Sequence, residues 1–238
     1  MVKKRFISLA ILSSVSSPLV FGCNFSPTYS NIVSLLPINQ SVELIKQKDI
    51  QNLLVTTWDY SMPLLNEKKE EFDVDNCSNL ISKYQHSSPL SQMDKAWVDA
   101  VYLNCKLVEA SLSLTSSEQT FISGLKLDKN FPSLAPSEFL LSISDESQAK
   151  ITASKTWSDV TKITDVNVID SNTTEYRDNV GSIQRMSIVW KGDFNHDGFE
   201  DALIYASNSV SGGSYQNQIG YVITRKSNND KYSIIKTF

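Results

Sequence analysis

The spacing of apolar residues changes once along this chain, and that change restricts the folds open to it. From Ser41 to about Ser123 they recur at three- and four-residue steps, the period of helices with one buried face. In the C-terminal part the step is two. Met186, Ile188 and Trp190 alternate with polar or smaller residues, as do Ile219, Tyr221 and Ile223, and then Tyr232 and Ile234. This predicts an α+β chain, with an N-terminal helical region (41–130) followed by a C-terminal antiparallel β-meander (137–238). Between them, Phe131-Pro132-Ser133-Leu134-Ala135-Pro136 is expected to break any helix and mark the boundary.

The best helical stretch is Ser91–Leu112, where Met93, Trp97, Val101, Cys105, Val108 and Leu112 share one face. Its start is signalled either by Ser88-Pro89 or by Ser91 with Asp94 three residues on. An earlier helix is expected over Val42 to Tyr60 with Ile45, Leu53 and Leu54 buried, and Glu67–Glu71 reads as a solvated helical face. A short helix follows from Asp145 to Trp157, and Ser227-Asn228-Asn229-Asp230 reads as the turn joining the last two strands. Trp58, Trp97, Trp157 and Trp190 lie mostly within apolar patterns and are expected to be core.

Ahead of all this, residues 1–22 have the parts of a secretory signal. Lys3, Lys4 and Arg5 precede an apolar stretch that runs to Phe21, with small residues at Val20 and Gly22. The stretch is too short and serine-rich to span a bilayer. Val20-Phe21-Gly22-Cys23 resembles the lipobox of bacterial lipoproteins, which implies a lipid on Cys23 at the head of the mature chain. Cleavage by ordinary signal peptidase at the same bond is the alternative. Residues 23–40, with two prolines and several Ser and Asn residues after Cys23, read as a tether.

Three cysteines in an oxidising compartment leave one unpaired. A lipidated Cys23 accounts for it and leaves Cys77 and Cys105 to form one disulfide between neighbouring helices; two buried free thiols are the alternative. Neither cysteine has a second Cys or His nearby in sequence, which argues against a thiol metal site.

The one stretch with chemistry in it is Gly192-Asp193-Phe194-Asn195-His196-Asp197-Gly198-Phe199-Glu200-Asp201, set between strand-like runs. Calcium takes about six to eight oxygens, so a loop must aim several carboxylates and carbonyls at one centre. Asp193, Asn195 and Asp197 alternate, Gly198 permits a sharp turn, and the Phe199 carbonyl and Asp201 carboxylate complete the set. The string resembles the calcium loops of FG-GAP and VCBS-type repeats and, more loosely, those of dockerins and EF-hands. It departs from the EF-hand at Ile204, where that family has a bidentate glutamate. It occurs once, whereas a propeller needs several copies, so the resemblance implies the loop and not the propeller. An ion-free Asp/Asn/Gly turn is the plain alternative. His196 is expected to face solvent.

Charge and missing motifs narrow the function. Of 22 basic residues three lie in the signal, leaving 19 against 26 acidic, a net charge of −7. With no basic patch, attraction to nucleic acid is not expected. Beyond the signal only His86 and His196 could serve a nucleophile–histidine–carboxylate set, and His86 lies in a polar stretch. No HExxH, GxSxG or phosphate loop is present. The expected function is therefore a non-enzymatic, calcium-stabilised envelope protein, held to the membrane through Cys23 if lipidated, that binds a protein or glycan. One concrete form is an immunity or inhibitor protein against a toxin or cell-wall hydrolase. An envelope hydrolase with a carboxylate pair and a surface adhesion module are the alternatives. The polar segment Ser207–Gln218, with Ser211, Gly212, Gly213 and Tyr215, is the candidate partner contact; a mobile hairpin connection is the other reading.

Overall fold

A computed structural model describes residues 24–38, 46–142 and 144–238. Residues 1–22, read above as a signal, Cys23, the expected lipid site, and Ile45 lie outside the described residues. Among the described residues no helix is long and apolar enough to cross a membrane.

The period-two half forms a large antiparallel sheet. Its strands are β5 (Ile163–Val168), β6 (Thr173–Asp178), β7 (Ser182–Gly192), β8 (Asp201–Val210), β9 (Gln216–Thr224) and β10 (Ser233–Thr237). They lie in the order β10-β9-β8-β7-β6-β5, each beside its sequence neighbour, which is a meander. Asp230 N–H donates to the Ser227 carbonyl in the turn between β9 and β10, as the polar run there suggested.

Both faces of this sheet are covered. One face presents Met186, Ile188, Ala202, Ile204, Tyr221 and Ile223 to a core completed by Phe131, Phe139 and Trp157. The other presents Val189, Trp190, Leu203 and Val222 to the N-terminal helices. Two-sided burial explains the unbroken run Ala202-Leu203-Ile204 in β8, whose three residues are all buried. It also corrects the expected alternation in β7. The register shifts between Ile188 and Trp190, so Trp190 leaves the face of Met186 and Ile188 and enters the opposite core.

The N-terminal half is mixed and not simply helical. α1 (Gln47–Val55) buries Leu53 and Leu54 as expected. β2 (Met62–Asn66), β3 (Glu71–Val74) and β4 (Ser87–Pro89) form a small sheet in the order β3-β2-β4, into which α2 (Cys77–Lys83) is inserted. The expected helical face at Glu67–Glu71 is instead the turn and start of the second strand of a hairpin. The Asn66 side-chain oxygen accepts from the N–H groups of Lys68 (2.8 Å) and Glu70 (3.0 Å), and Lys69 has φ 65°, a left-handed value. Side-chain-to-backbone bonds of this kind fold an Asn-led turn that outweighs the helical preference of Glu and Lys.

α3 (Lys95–Ala110) occupies most of the predicted stretch, and the turn before it uses the Ser91–Asp94 pair. Val101, Cys105 and Val108 are buried, but Val98 and Leu107 join them while Met93 is 91% and Trp97 43% exposed. The buried stripe is thus rotated from the predicted one at its N-terminal end, because Met93 precedes the helix and has no helical face. Trp58, Trp157 and Trp190 are core; Trp97 is not.

Two further expectations are corrected. The expected tether is docked where it is described: Phe25 and Ser117 exchange backbone bonds of 2.8 and 3.0 Å, and β1 (Thr28–Tyr29) pairs with β7. Ile32 and Leu36 are buried in the N-terminal core, and that apolar burial outweighs a linker-like composition. The Phe131–Pro136 stretch holds a short helical turn, α4 (Phe131–Leu134), because proline is tolerated in the first turn. Phe131 and Ala135 lie deep in the second core, so the segment packs inside the fold. α5 (Asp145–Ala153), capped by Ser144, matches most of the predicted short helix, and α6 (Trp157–Val160) follows it.

Cys77 at the start of α2 and Cys105 on the buried side of α3 are bonded, with their α-carbons 5.2 Å apart. The bridge joins two neighbouring helices, as the cysteine count suggested.

Candidate functional site

The acidic loop closes the β7–β8 hairpin, where Gly192 pairs with Asp201. Its shape comes from its own short side chains. Asp193 accepts the N–H of Asp197 on Oδ1 (3.2 Å) and of Gly198 on Oδ2 (2.8 Å). The Asn195 side-chain oxygen also accepts from Asp197 N–H (3.2 Å), and Asp197 Oδ1 accepts from Phe199 N–H (3.1 Å). Gly198 at φ 84° supplies the expected sharp turn, and His196 at φ 61° shares the left-handed conformation. His196 faces solvent and contacts Thr115 Oγ1 through Nδ1 at 3.2 Å.

A second segment, out of reach of local sequence reasoning, holds the loop from outside. Thr115 and Asp193 exchange backbone bonds of 3.0 Å. Glu118 and Gln119 N–H groups both donate to the Gly198 carbonyl, and Glu200 N–H donates to Gln119. Glu200 is buried and takes the Thr120 hydroxyl.

The carboxylates differ sharply in environment. Asp201 is wholly buried; Oδ2 accepts from Phe194 N–H (3.0 Å), and Oδ1 has no hydrogen-bond partner of normal geometry. Burial pushes its pKa up to about 6 and the charges of Asp197 and Asp193 add to the rise, against the Thr224 hydroxyl and Phe194 N–H. Asp197 is more open. Burial works against its charge, but Lys226, the Phe199 N–H and the Asn195 amide hold its pKa below the usual value. Lys226 Nζ lies 2.7 Å from Asp197 Oδ2.

Four side chains of the predicted ligand set thus share one hydrogen-bonded loop. Yet among the described residues no group of three or more His, Cys, Asp or Glu side chains is gathered as a ready metal centre. The side chains are spent on the loop's own N–H groups and on Lys226. The oxygen chemistry nonetheless suits a hard cation, and a buried carboxylate oxygen without a partner is the kind of group such an ion would satisfy.

Asp201 titrates near 6 when folded and near ~3.9 when unfolded, so the folded chain holds the extra proton between those values. Stability from this group is full below ~4 and lost as pH rises through about 6. The loss by neutral pH is on the order of 2 kcal/mol. Chelator-treated protein is expected to show this decline in unfolding midpoints between pH 4 and 7, and Asp201→Asn should flatten it. An unchanged profile in the variant would refute the assignment.

The candidate partner contact lies elsewhere. Ser211, Gly212, Gly213 and Tyr215 are all exposed in the connection between β8 and β9, which otherwise absorbs most of Ser207–Gln218 into strands. Beside it, between α3 and β9, runs a groove of about 860 Å³ whose lining includes Met93, Trp97, Leu103, Asn217 and Phe238. Trp97 is positioned by Tyr60, with ring centroids 5.4 Å apart. Sequence reasoning missed this groove because it placed Met93 and Trp97 in the core. His86, the other histidine, is exposed and pairs with Glu67 at 2.8 Å.

No family model matches this chain, and no curated protein or solved structure matches it either.

Proposed function

We propose that the chain is an exported, non-enzymatic binding protein of the cell envelope, stabilised by calcium in the Asp193–Asp201 loop, with an immunity or inhibitor role as its concrete form. The observation that carries the binding reading is the groove beside α3. Met93 at 91% and Trp97 at 43% exposure put two large apolar side chains together in the lining of that groove. Such grouping marks interaction surfaces more often than isolated exposed residues do. Trp is among the residues that dominate binding energies, and Met adapts to varied partners. Tyr215, 43% exposed, directly precedes Gln216 of the groove's lining in sequence.

Calcium belongs to the reading as a structural ion. Asp193, Asn195, Asp197 and Asp201 would supply side-chain oxygens and Phe199 its carbonyl. The support is the all-oxygen set and the orphaned Asp201 oxygen. The export signal and the lipid on Cys23 remain part of the proposal on the sequence argument alone.

The test uses affinity-tagged protein expressed in its own envelope and solubilised in detergent. A partner that co-elutes with the wild type should bind Trp97→Ala about 30-fold more weakly, the scale of an interfacial tryptophan. The melting temperature of the variant should stay within a few degrees, because the ring is half-exposed. A partner retained equally by the variant would place the interface elsewhere, and turnover of a cell-wall substrate by the purified protein would replace binding with hydrolysis.

A further inference from the structure

Lys226 lies in the connection between β9 and β10, 29 residues beyond Asp197, and its ammonium reaches back to the acidic loop. Nζ sits 2.7 Å from Asp197 Oδ2 and 5.3 Å from the centroid of the Phe199 ring. One carboxylate of the predicted ligand set, with the Phe199 ring beside it, therefore holds a cation already, and that cation belongs to the chain. It does not reach every oxygen. Asp201 Oδ1 stays buried without a hydrogen-bond partner of normal geometry, and a tethered ammonium on one side of the loop does not supply one. The Lys226 side chain is 54% exposed, so it can swing into solvent without disturbing either core.

We propose that Lys226 is an internal occupant of the acidic loop, exchanging places with a divalent cation at Asp197 and so setting the affinity of the site. The inference rests on the calcium reading above. Without the ion, Asp193, Asp197 and Asp201 repel one another, and the ammonium offsets part of that repulsion. When the ion binds, Asp197 turns to it, and the ammonium is released because two cations cannot share one carboxylate oxygen at close range without mutual repulsion. Lys226 thus stabilises the empty loop and opposes the filled one. A residue with an ordinary structural role would act in the same direction on both.

This difference in sign is what the experiment reads. Calcium is titrated calorimetrically into the chelator-stripped full chain as wild type, Lys226→Met and Lys226→Arg, and each is melted with and without calcium. Lys226→Met keeps the aliphatic stem on Phe199 and removes the charge. It should bind calcium about fivefold more tightly, the scale of a partly exposed ion pair. Its melting temperature should fall in chelator and rise in calcium relative to wild type. Lys226→Arg should bind within about twofold of wild type, since the charge remains. Binding by Lys226→Met with none by wild type supports the exchange in its strongest form. Equal affinities for wild type and Lys226→Met overturn the exchange and leave the calcium reading standing. Absence of binding in all three overturns both.

Discussion

Replacing both Cys77 and Cys105 with alanine is expected to lower the unfolding free energy by about 3.5 kcal/mol. The two positions are 28 residues apart, and a covalent link over that distance removes a large set of open conformations from the unfolded chain. The figure follows from loop-closure entropy and is a substantial share of the ~5–15 kcal/mol that holds a typical domain together. For a chain of this size it corresponds to a fall of roughly 10 °C in melting temperature. The substitution must be double, because a single replacement leaves a buried thiol against a small cavity and mixes two effects. Both sulfurs are wholly buried, so mild reductant acting on the folded protein should do little. Urea unfolding of the double variant measures the effect; a midpoint unchanged from wild type would mean the bridge contributes no stability.

Calcium is expected to raise the stability of the chelator-stripped protein by about 2.7 kcal/mol at a concentration 100-fold above its dissociation constant, by mass action on the folded loop alone. The melting temperature should rise by roughly 5–10 °C. Part of the gain is expected from Asp201, whose buried oxygen would acquire a partner and whose negative charge the ion would compensate. Asp197→Ala should lose most of the shift, since it removes a ligand and a charge together. Asp201→Asn should lose it too, while leaving the chelated form as stable as wild type or more so at neutral pH, because it removes an uncompensated buried charge. Magnesium should do little, as its smaller octahedral shell fits such a loop poorly. Coincident melting curves in chelator, calcium and magnesium would reduce the loop to an acidic turn held by Lys226.

The sequence by itself determined what depends on local chemistry. The meander of β7 to β10 was legible because alternation every two residues is a property of the strand itself. The left-handed turn at Gly198 was legible because few other residues adopt it without strain. The Cys77–Cys105 pairing followed from counting. Tertiary structure decided the rest. Glu67–Glu71 reads as a solvated helical face in isolation, yet Asn66 and the strands flanking it fold it as a hairpin turn. Trp97 has the spacing of a core residue, but where α3 begins and which side of it meets the sheet left it exposed. Trp190 changed cores at a one-residue slip in register, which no periodicity reveals. Residues 25–38 have the composition of a tether and are nonetheless held by pairing with β7 and by an isolated bridge from Phe25 to Ser117. At the acidic loop the same division holds. Asp193 to Asp201 were visible as a string, because turn geometry brings residues two apart together. Thr115, Gln119, Thr224 and Lys226 were invisible, because only the folding of distant segments onto the β7–β8 hairpin brings them to it, and one of them carries the charge that now faces Asp197.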